Sequence, residues 1–210
     1  MRCRYGVSPA GAKRSELRSG SRAGDEGPGH DPGDHGGLHR CDGRRRHGGV
    51  PMNRTLLLMR HAEAESGFGV DDADRSLTDR GRSQAENVGR LLAAQGYAPD
   101  HVLCSSARRT RQTLEGVLGA LGPGTAPETD FSEAVYSAGV DTLLELITYV
   151  PAEAGTVLVV AHNPTVAQLA ADFLEKPGPA GSPPATVTAV ALEVEWLYAA
   201  PGTGAAIALN

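Results

Sequence analysis

Thr156-Val157-Leu158-Val159-Val160-Ala161-His162-Asn163-Pro164 is the most informative stretch of this 210-residue chain. Its first six residues are an almost uninterrupted apolar run with three valines, which reads as a strand. Polar residues then mark the strand's end. Asn163 can cap a helix, and Pro164 suits a helix's first position, where a missing N–H costs nothing. Val166, Leu169, Ala170 and Phe173 recur on one face of the helix that follows.

The same alternation repeats outward from this unit. Thr55 to Met59 is a second apolar run, as in a buried strand, and Asp71 to Leu77 reads as polar loop. Thr78 can cap a helix that runs to about Gln95, with Ala85, Val88, Leu91 and Leu92 on one face. His101 to Cys104 reads as another strand, and Ser106 can cap a helix carrying Leu114, Val117, Leu118 and Leu121. Residues 125–139 look irregular. Asp141 can cap a helix with Leu143, Leu144 and Ile147 inward, ended by Pro151. Thr186 to Trp196 alternates as a strand, and Ala205 to Leu209 suits a last one. Strands alternating with helices imply an α/β domain with a mostly parallel sheet.

Composition bounds the function. Aromatics are 4% of the chain, which argues against a platform for stacking bases or sugars, and the net charge of -5 gives no pull toward nucleic acid or an anionic membrane. Cys3, Cys41 and Cys104 are an odd count without framework spacing, so a reducing, cytoplasmic setting is expected. Pro and Gly interrupt the charge-free stretches near the C-terminus, and the N-terminus has no apolar run behind Arg2 and Arg4, so neither a membrane span nor a secretory signal is expected.

Residues 1–51 differ in kind from residues 52–210. They hold ten of the twenty Lys and Arg but six of the twenty-five Asp and Glu, a surplus of four positive charges; the remainder carries a surplus of nine negative ones. Twelve of the 27 glycines lie there too, and large aliphatics are few. Such a segment cannot bury enough apolar surface to offset the entropy of ordering, so it reads as a disordered extension ahead of a domain spanning 52–210. His30, His35, His39, Cys41 and His47 could suggest a metal, and Arg44-Arg45-Arg46 a nucleic acid. Glycine runs supply neither the hairpin nor the helix that His/Cys metal sites use, and a short basic run in a tail is usually just solvated.

In open α/β sheets, ligands bind beyond the carboxyl ends of the strands. Those ends carry Arg60-His61, then Ser105-Ser106 with Arg108, Arg109 and Arg111 close behind, then His162. Residues 52–210 contain three histidines, and two of them stand at strand ends. Histidines and arginines gathered beside helix N-termini, in a domain of net negative charge, suit a dianionic phosphate.

Four motifs extend this reading. Leu58-Met59-Arg60-His61-Ala62-Glu63-Ala64 resembles the signature of the histidine phosphatase superfamily, the Arg-His-Gly group that includes phosphoglycerate mutases. Asp74 to Gly81 is similar to the loop and helix start that follow it. Ser105 to Thr113 resembles the second arginine motif, which places that arginine at Arg109. Val160-Ala161-His162-Asn163-Pro164 resembles the second histidine motif in its SixA-like form. Ala62 replaces the glycine of many members, as SixA-like members often do. The resemblance covers nearly all of 52–210 and none of 1–51. It implies a three-layer, phosphoglycerate mutase-like fold.

It also implies roles. His61 would attack phosphorus and carry the phosphoryl group, which requires neutral imidazole. Nearby Arg60 and Arg109 should disfavour the imidazolium. Arg60, Arg109 and His162 would hold the phosphoryl oxygens, and Arg75 and Asn163 are further candidate substrate contacts. Of Glu128, Asp130 and Glu133, the last is the candidate general acid, a group that SixA-like proteins tend to lack. No metal or cofactor is implied. The expected activity is hydrolysis of phosphohistidine, with a phosphorylated protein as partner. The alternatives are a phosphatase or mutase for a small phosphorylated metabolite, and a phosphate-binding module without turnover. Two other chemistries fail: a cysteine phosphatase needs the pattern Cys-x5-Arg, where Cys104 is followed by Thr110 at the Arg position, and neither Lys13 nor Lys176 sits in a phosphate-binding glycine loop.

If residues 1–51 are dispensable, a chain starting at Met52 keeps its melting temperature and its turnover nearly unchanged. Thermal melting and a phosphatase assay on both lengths check this. A large loss of either would show that the extension contributes to the domain.

Overall fold

Alternating side chains on the central strands divide the interior into two apolar layers, one on each face of a single sheet. The computed structural model describes residues 53–174, 182–207 and 209. The expectations for residues 1–51, with their His/Cys and arginine clusters, lie outside the described residues. Among the described residues six strands, β1 (Arg54–Arg60), β2 (His101–Ser105), β3 (Glu128–Ser132), β4 (Thr156–Ala161), β5 (Val187–Leu192) and β6 (Gly204–Ile207), stand in the order β3-β2-β4-β1-β5-β6. The pairs β1–β4, β2–β4 and β2–β3 are parallel, while β5 pairs antiparallel with both β1 and β6.

The helices are α1 (Asp79–Ala94), α2 (Arg108–Leu121), α3 (Glu133–Ser137), α4 (Val140–Thr148) and α5 (Thr165–Leu174). On one face Leu57, Met59, Val102, Leu158 and Val160 pack with Ala85, Leu92, Leu114 and Val117 of α1 and α2. On the other, Leu56, Leu58, Val157 and Val159 pack with Leu143, Ile147, Leu169 and Phe173 of α4 and α5. The result is the three-layer α/β architecture expected from the sequence. Among the described residues, no helix is long and apolar enough to cross a membrane.

Four local expectations are corrected. Residues 125–139 contain the edge strand β3 and the short helix α3. The Glu128-Thr129-Asp130-Phe131-Ser132 stretch lacks an apolar run because an edge strand pairs on one side only and is largely exposed. Ser106 does not cap α2: the cap position is Ala107, and the Ser106 hydroxyl donates instead to Glu133. Asp141 lies inside the first turn of α4, whose cap position is Gly139. Helix α5 starts at Thr165, after Pro164, and the Asn163 side chain is turned away to donate to the Ser182 carbonyl at 3.0 Å.

Register positions the site. Arg60 stands opposite Ala161, and Cys104 opposite Val160, so β1, β2 and β4 end level with one another. The chain leaving β1 is then clamped by the start of α1. Thr78 caps α1 by accepting from the Gly81 N–H at 2.9 Å, and its own N–H donates to the Glu63 carbonyl at 3.0 Å. A Cβ on Gly81 would stand 2.0 Å from that carbonyl oxygen, so only glycine permits this approach.

Gly81→Ala therefore forces the two segments apart. We expect a loss of roughly 1–3 kcal/mol, as for overpacked interiors, and a drop in melting temperature on the order of 2–12 °C for a domain of this size. Thermal unfolding followed by circular dichroism checks it, and an unchanged melting temperature would show that the contact is relieved without cost.

Candidate active site

Three parallel strands end side by side and deliver Arg60-His61 from β1, Ser105 from β2 and His162 from β4 to one edge of the sheet. A cavity of about 510 Å³ opens there. Six of the residues singled out in the sequence line it: Arg60, His61, Arg75, Arg109, His162 and Asn163. Asp72 and Tyr136 complete the lining. Glu133 does not belong to it; its exposed carboxylate, at the first position of α3, accepts from the Ser106 hydroxyl.

The protonation of His61 follows from partners that can play only one part. Its Nδ1 lies 2.7 Å from the Ala62 carbonyl oxygen, which can only accept, so Nδ1 carries the hydrogen. The Arg109 Nε–H donates to His61 Nε2 at 3.3 Å, so that nitrogen presents its lone pair. Burial is the main cause that lowers the His61 pKa, to about 4; the Ala62 bond opposes it, and Arg109, Arg60 and Arg75 add to it. The sequence reading assigns this shift to Arg60 and Arg109; in the structure their charges rank behind desolvation.

His162 has the opposite tautomer. Arg109 donates from its Nη2 to His162 Nδ1 at 3.2 Å, which leaves the hydrogen on Nε2, 2.7 Å from Ser105 Oγ. Burial, then Arg109 and His61, lowers this pKa to about 4 as well. The two imidazoles meet edge to face with ring centres 5.2 Å apart. Both present neutral rings into a cavity whose fixed charges, among the described residues, are the three guanidinium groups and Asp72.

Asp72 belongs to a single 3-10 turn, Asp72–Asp74, ahead of α1. Its Oδ2 accepts from Arg109 Nη2 and from the Tyr136 hydroxyl, each at 2.9 Å, and its Oδ1 accepts from Arg75 Nη1 at 2.9 Å. Its backbone oxygen also accepts from Arg109 Nη1 at 2.5 Å. The hydrogen bond from Arg75 is the largest cause that lowers its pKa to about 2, with Tyr136 and Arg109 contributing. The Tyr136 ring stands edge-on to His162, with centres 5.5 Å apart.

Neither residue was accessible to spacing arguments. The acidic run Asp71-Asp72-Asp74 beside Arg75 is the one signal that could have marked Asp72. Tyr136 lay in a stretch without visible periodicity. Arg60 donates from Nη1 to the Ser182 carbonyl, and Asn163 donates to the same oxygen, so both anchor the segment ahead of β5 to the cavity wall. Arg108 and Arg111 are exposed, as expected of surface residues on α2. Among the described residues no group of three or more His, Cys, Asp or Glu could hold a metal ion.

Comparison with known proteins points to one family. The family model of the histidine phosphatase superfamily (branch 1) matches residues 56–138, a span that includes His61, Asp72, Arg109 and Tyr136. A provisionally named phosphohistidine phosphatase SixA from Nakamurella multipartitia is 32% identical, with a TM-score of 0.65 over 75% of this chain and 95% of that one. Another from Agrobacterium tumefaciens is 29% identical, with a TM-score of 0.57 over 66% and 92% of the two chains. An uncharacterized Mycobacterium tuberculosis protein is 39% identical over 112 residues, 53% of this chain and 67% of that one. A 2,3-bisphosphoglycerate-dependent phosphoglycerate mutase from Beijerinckia indica is 36% identical over 83 residues, 37% of this chain and 39% of its own.

The lowered pKa values set a pH window. A free imidazole titrates near about 6.5, whereas His61 and His162 stay neutral until the pH falls toward about 4. At pH 5, His61 should be about nine-tenths neutral rather than mostly protonated. Imidazole NMR titration should place both midpoints well below 6. A midpoint near 6.5 for His61 would show that the ring is neither desolvated nor near the arginines.

Proposed function

The chain is a phosphatase that belongs to the histidine phosphatase superfamily, in its SixA-like branch, and from that premise we propose that it hydrolyses phosphohistidine through a phosphorylated His61. As the Arg109 Nε–H turns from His61 Nε2 to the phosphoryl group, the freed lone pair on Nε2 attacks phosphorus while the bond from phosphorus to the substrate's leaving atom breaks. Water then attacks the phosphorus carried by His61, the electron pair of the P–Nε2 bond returns to Nε2, and inorganic phosphate leaves with the water's oxygen and protons. Arg60, Arg109 and His162 hold the phosphoryl oxygens as charge spreads over them. Arg75 and Asn163 contact the substrate near the rim. The partner is a phosphorylated protein.

One observation carries the choice of substrate. Among the described residues lining the cavity the one carboxylate, Asp72, is bound by Arg75, Arg109 and Tyr136 and is ionised at neutral pH, while Glu133 stands outside the cavity. Among the described lining residues no carboxyl group therefore holds a proton for a departing alkoxide, a role worth roughly 10²–10⁴-fold in ester hydrolysis. A phosphoramidate has a weak P–N bond and an imidazole leaving group, and it needs no such acid from the enzyme. The partial similarity to phosphoglycerate mutases supports a second reading, a small phosphorylated metabolite as substrate.

His61→Ala should lower phosphohistidine turnover at least about 1000-fold, as loss of a covalent nucleophile does, and remove the acid-labile phosphoenzyme, with the fold intact. Glu133→Gln should change turnover less than about tenfold. Phosphohistidine protein and a panel of sugar and alkyl phosphates, assayed side by side, decide between the readings. Fast alkyl phosphate hydrolysis that Glu133→Gln abolishes would favour the metabolite.

A further inference from the structure

Cleavage of a P–N bond to imidazole raises a proton question that the phosphoryl clamp does not answer. In N-phosphohistidine one ring nitrogen carries phosphorus and the other is a free imidazole-type base. If that second nitrogen is bare, the ring must leave as an imidazolide anion, a poor leaving group. If it is protonated, the electron pair of the P–N bond returns to a ring that leaves as neutral imidazole. The reactive substrate is therefore the protonated one, and an acceptor for its N–H would favour that form.

The enzyme's own half of the reaction already has such an acceptor. The Nδ1–H of His61 donates to the Ala62 carbonyl at 2.7 Å, so a phosphoryl group on Nε2 sits on a ring that keeps its second hydrogen. Breakdown of the phosphoenzyme then releases neutral His61. The substrate's ring needs a counterpart at the cavity rim, and the described residues lining the cavity contain one anionic acceptor, Asp72.

We infer that Asp72 is a specificity-determining residue, accepting the N–H of the substrate's protonated imidazole and so selecting phosphohistidine over phosphate esters. The inference rests on the phosphohistidine reading above. Its geometry is direct: the single guanidinium of Arg109 spans from His61 Nε2, 3.3 Å from Nε, to Asp72 Oδ2, 2.9 Å from Nη2. The carboxylate thus stands one guanidinium away from the attacking nitrogen. Two oxygens offer about four acceptor positions, and Arg109, Tyr136 and Arg75 occupy three. One position on Oδ1 stays open, on a side chain that is 54% exposed to the cavity mouth and solvent.

The charges facing Asp72 are Arg75 from its own turn, Arg109 from α2, the neutral phenol of Tyr136 from α3 and neutral His162 at the end of β4. Asp71 and Asp74 flank it in sequence. The two arginines keep Asp72 ionised, which makes it useless as a proton donor and suitable as an acceptor. The same fixed anion repels a leaving group that carries a second carboxylate or phosphate. A phosphate ester has no ring N–H to offer it.

The test compares the wild-type chain with Asp72→Asn on phosphoimidazole and on p-nitrophenyl phosphate, whose leaving group needs no proton. Asp72 is half exposed, so the isosteric change leaves the fold in place, which thermal melting verifies. At pH 8 the ratio of kcat/KM for phosphoimidazole to that for p-nitrophenyl phosphate should fall at least tenfold in the variant. The alkaline limb of the phosphoimidazole pH profile should move about one unit toward acid, and that of the ester should not follow it. Equal losses on both substrates, or an unchanged ratio and limb, would overturn the inference and leave Asp72 as a support for Arg109. Wild-type protein that hydrolyses the ester but not phosphoimidazole would remove the substrate reading itself, and the inference with it.

Discussion

The guanidinium of Arg109 enters the cavity from the first turn of α2 with Nε directed at His61, Nη2 shared between His162 and Asp72, and Nη1 on the Asp72 backbone oxygen. A guanidinium stays protonated in proteins and can only donate. Each contact therefore fixes what its partner must be. His61 Nε2 and His162 Nδ1 must be bare, and Asp72 is held as an anion. The side chain is almost fully buried, so its charge acts in a medium that screens it poorly. The His162 tautomer depends on this group, which shares the His61 tautomer with the Ala62 carbonyl and the ionised Asp72 with Arg75 and Tyr136.

Burial supplies the second part of the electrostatics. Desolvation is the leading cause of the lowered pKa at both histidines, ahead of any arginine. That desolvation comes from the fold rather than from the neighbouring charges. The level ends of β1, β2 and β4 bring two rings and a serine hydroxyl into one layer, and α2 and α3 close over them. In the proposed mechanism His61, kept neutral mainly by its surroundings, does not depend on the substrate's charge to become reactive. In that mechanism Arg60 and Arg109 turn donors now engaged with protein partners toward the phosphoryl oxygens.

Much of the fold was legible in local pattern. The clearest strand runs over the residues expected of it, Thr156–Ala161, and the apolar faces of α1 and α5 are those the spacing implied. The elements it hid are those with little burial. β3 pairs with one neighbour and exposes Phe131, so its sequence never needed an apolar run. Polar cap candidates misled for a related reason. The Ser106 and Asn163 side chains are drawn into long-range bonds, with Glu133 and the Ser182 carbonyl, and these outcompete capping.

For the site, the sequence by itself determined the groups that stand at strand ends: Arg60, His61, His162 and, one helical turn beyond β2, Arg109. A strand's end and a helix's first turn are set within a few residues of chain, and parallel strands of one sheet must bring such ends to one edge. Only the tertiary structure decided which carboxylate entered the cavity. Asp72 meets Arg109 across 37 residues and Tyr136 across 64, through a loop and a short helix whose paths no periodicity records. Glu133 and Tyr136 share one short helix, and the turn of that helix sends the phenol into the cavity and leaves the carboxylate outside. Those outcomes depend on how separately folded segments pack, which is a property of the assembled core and of no single stretch of chain.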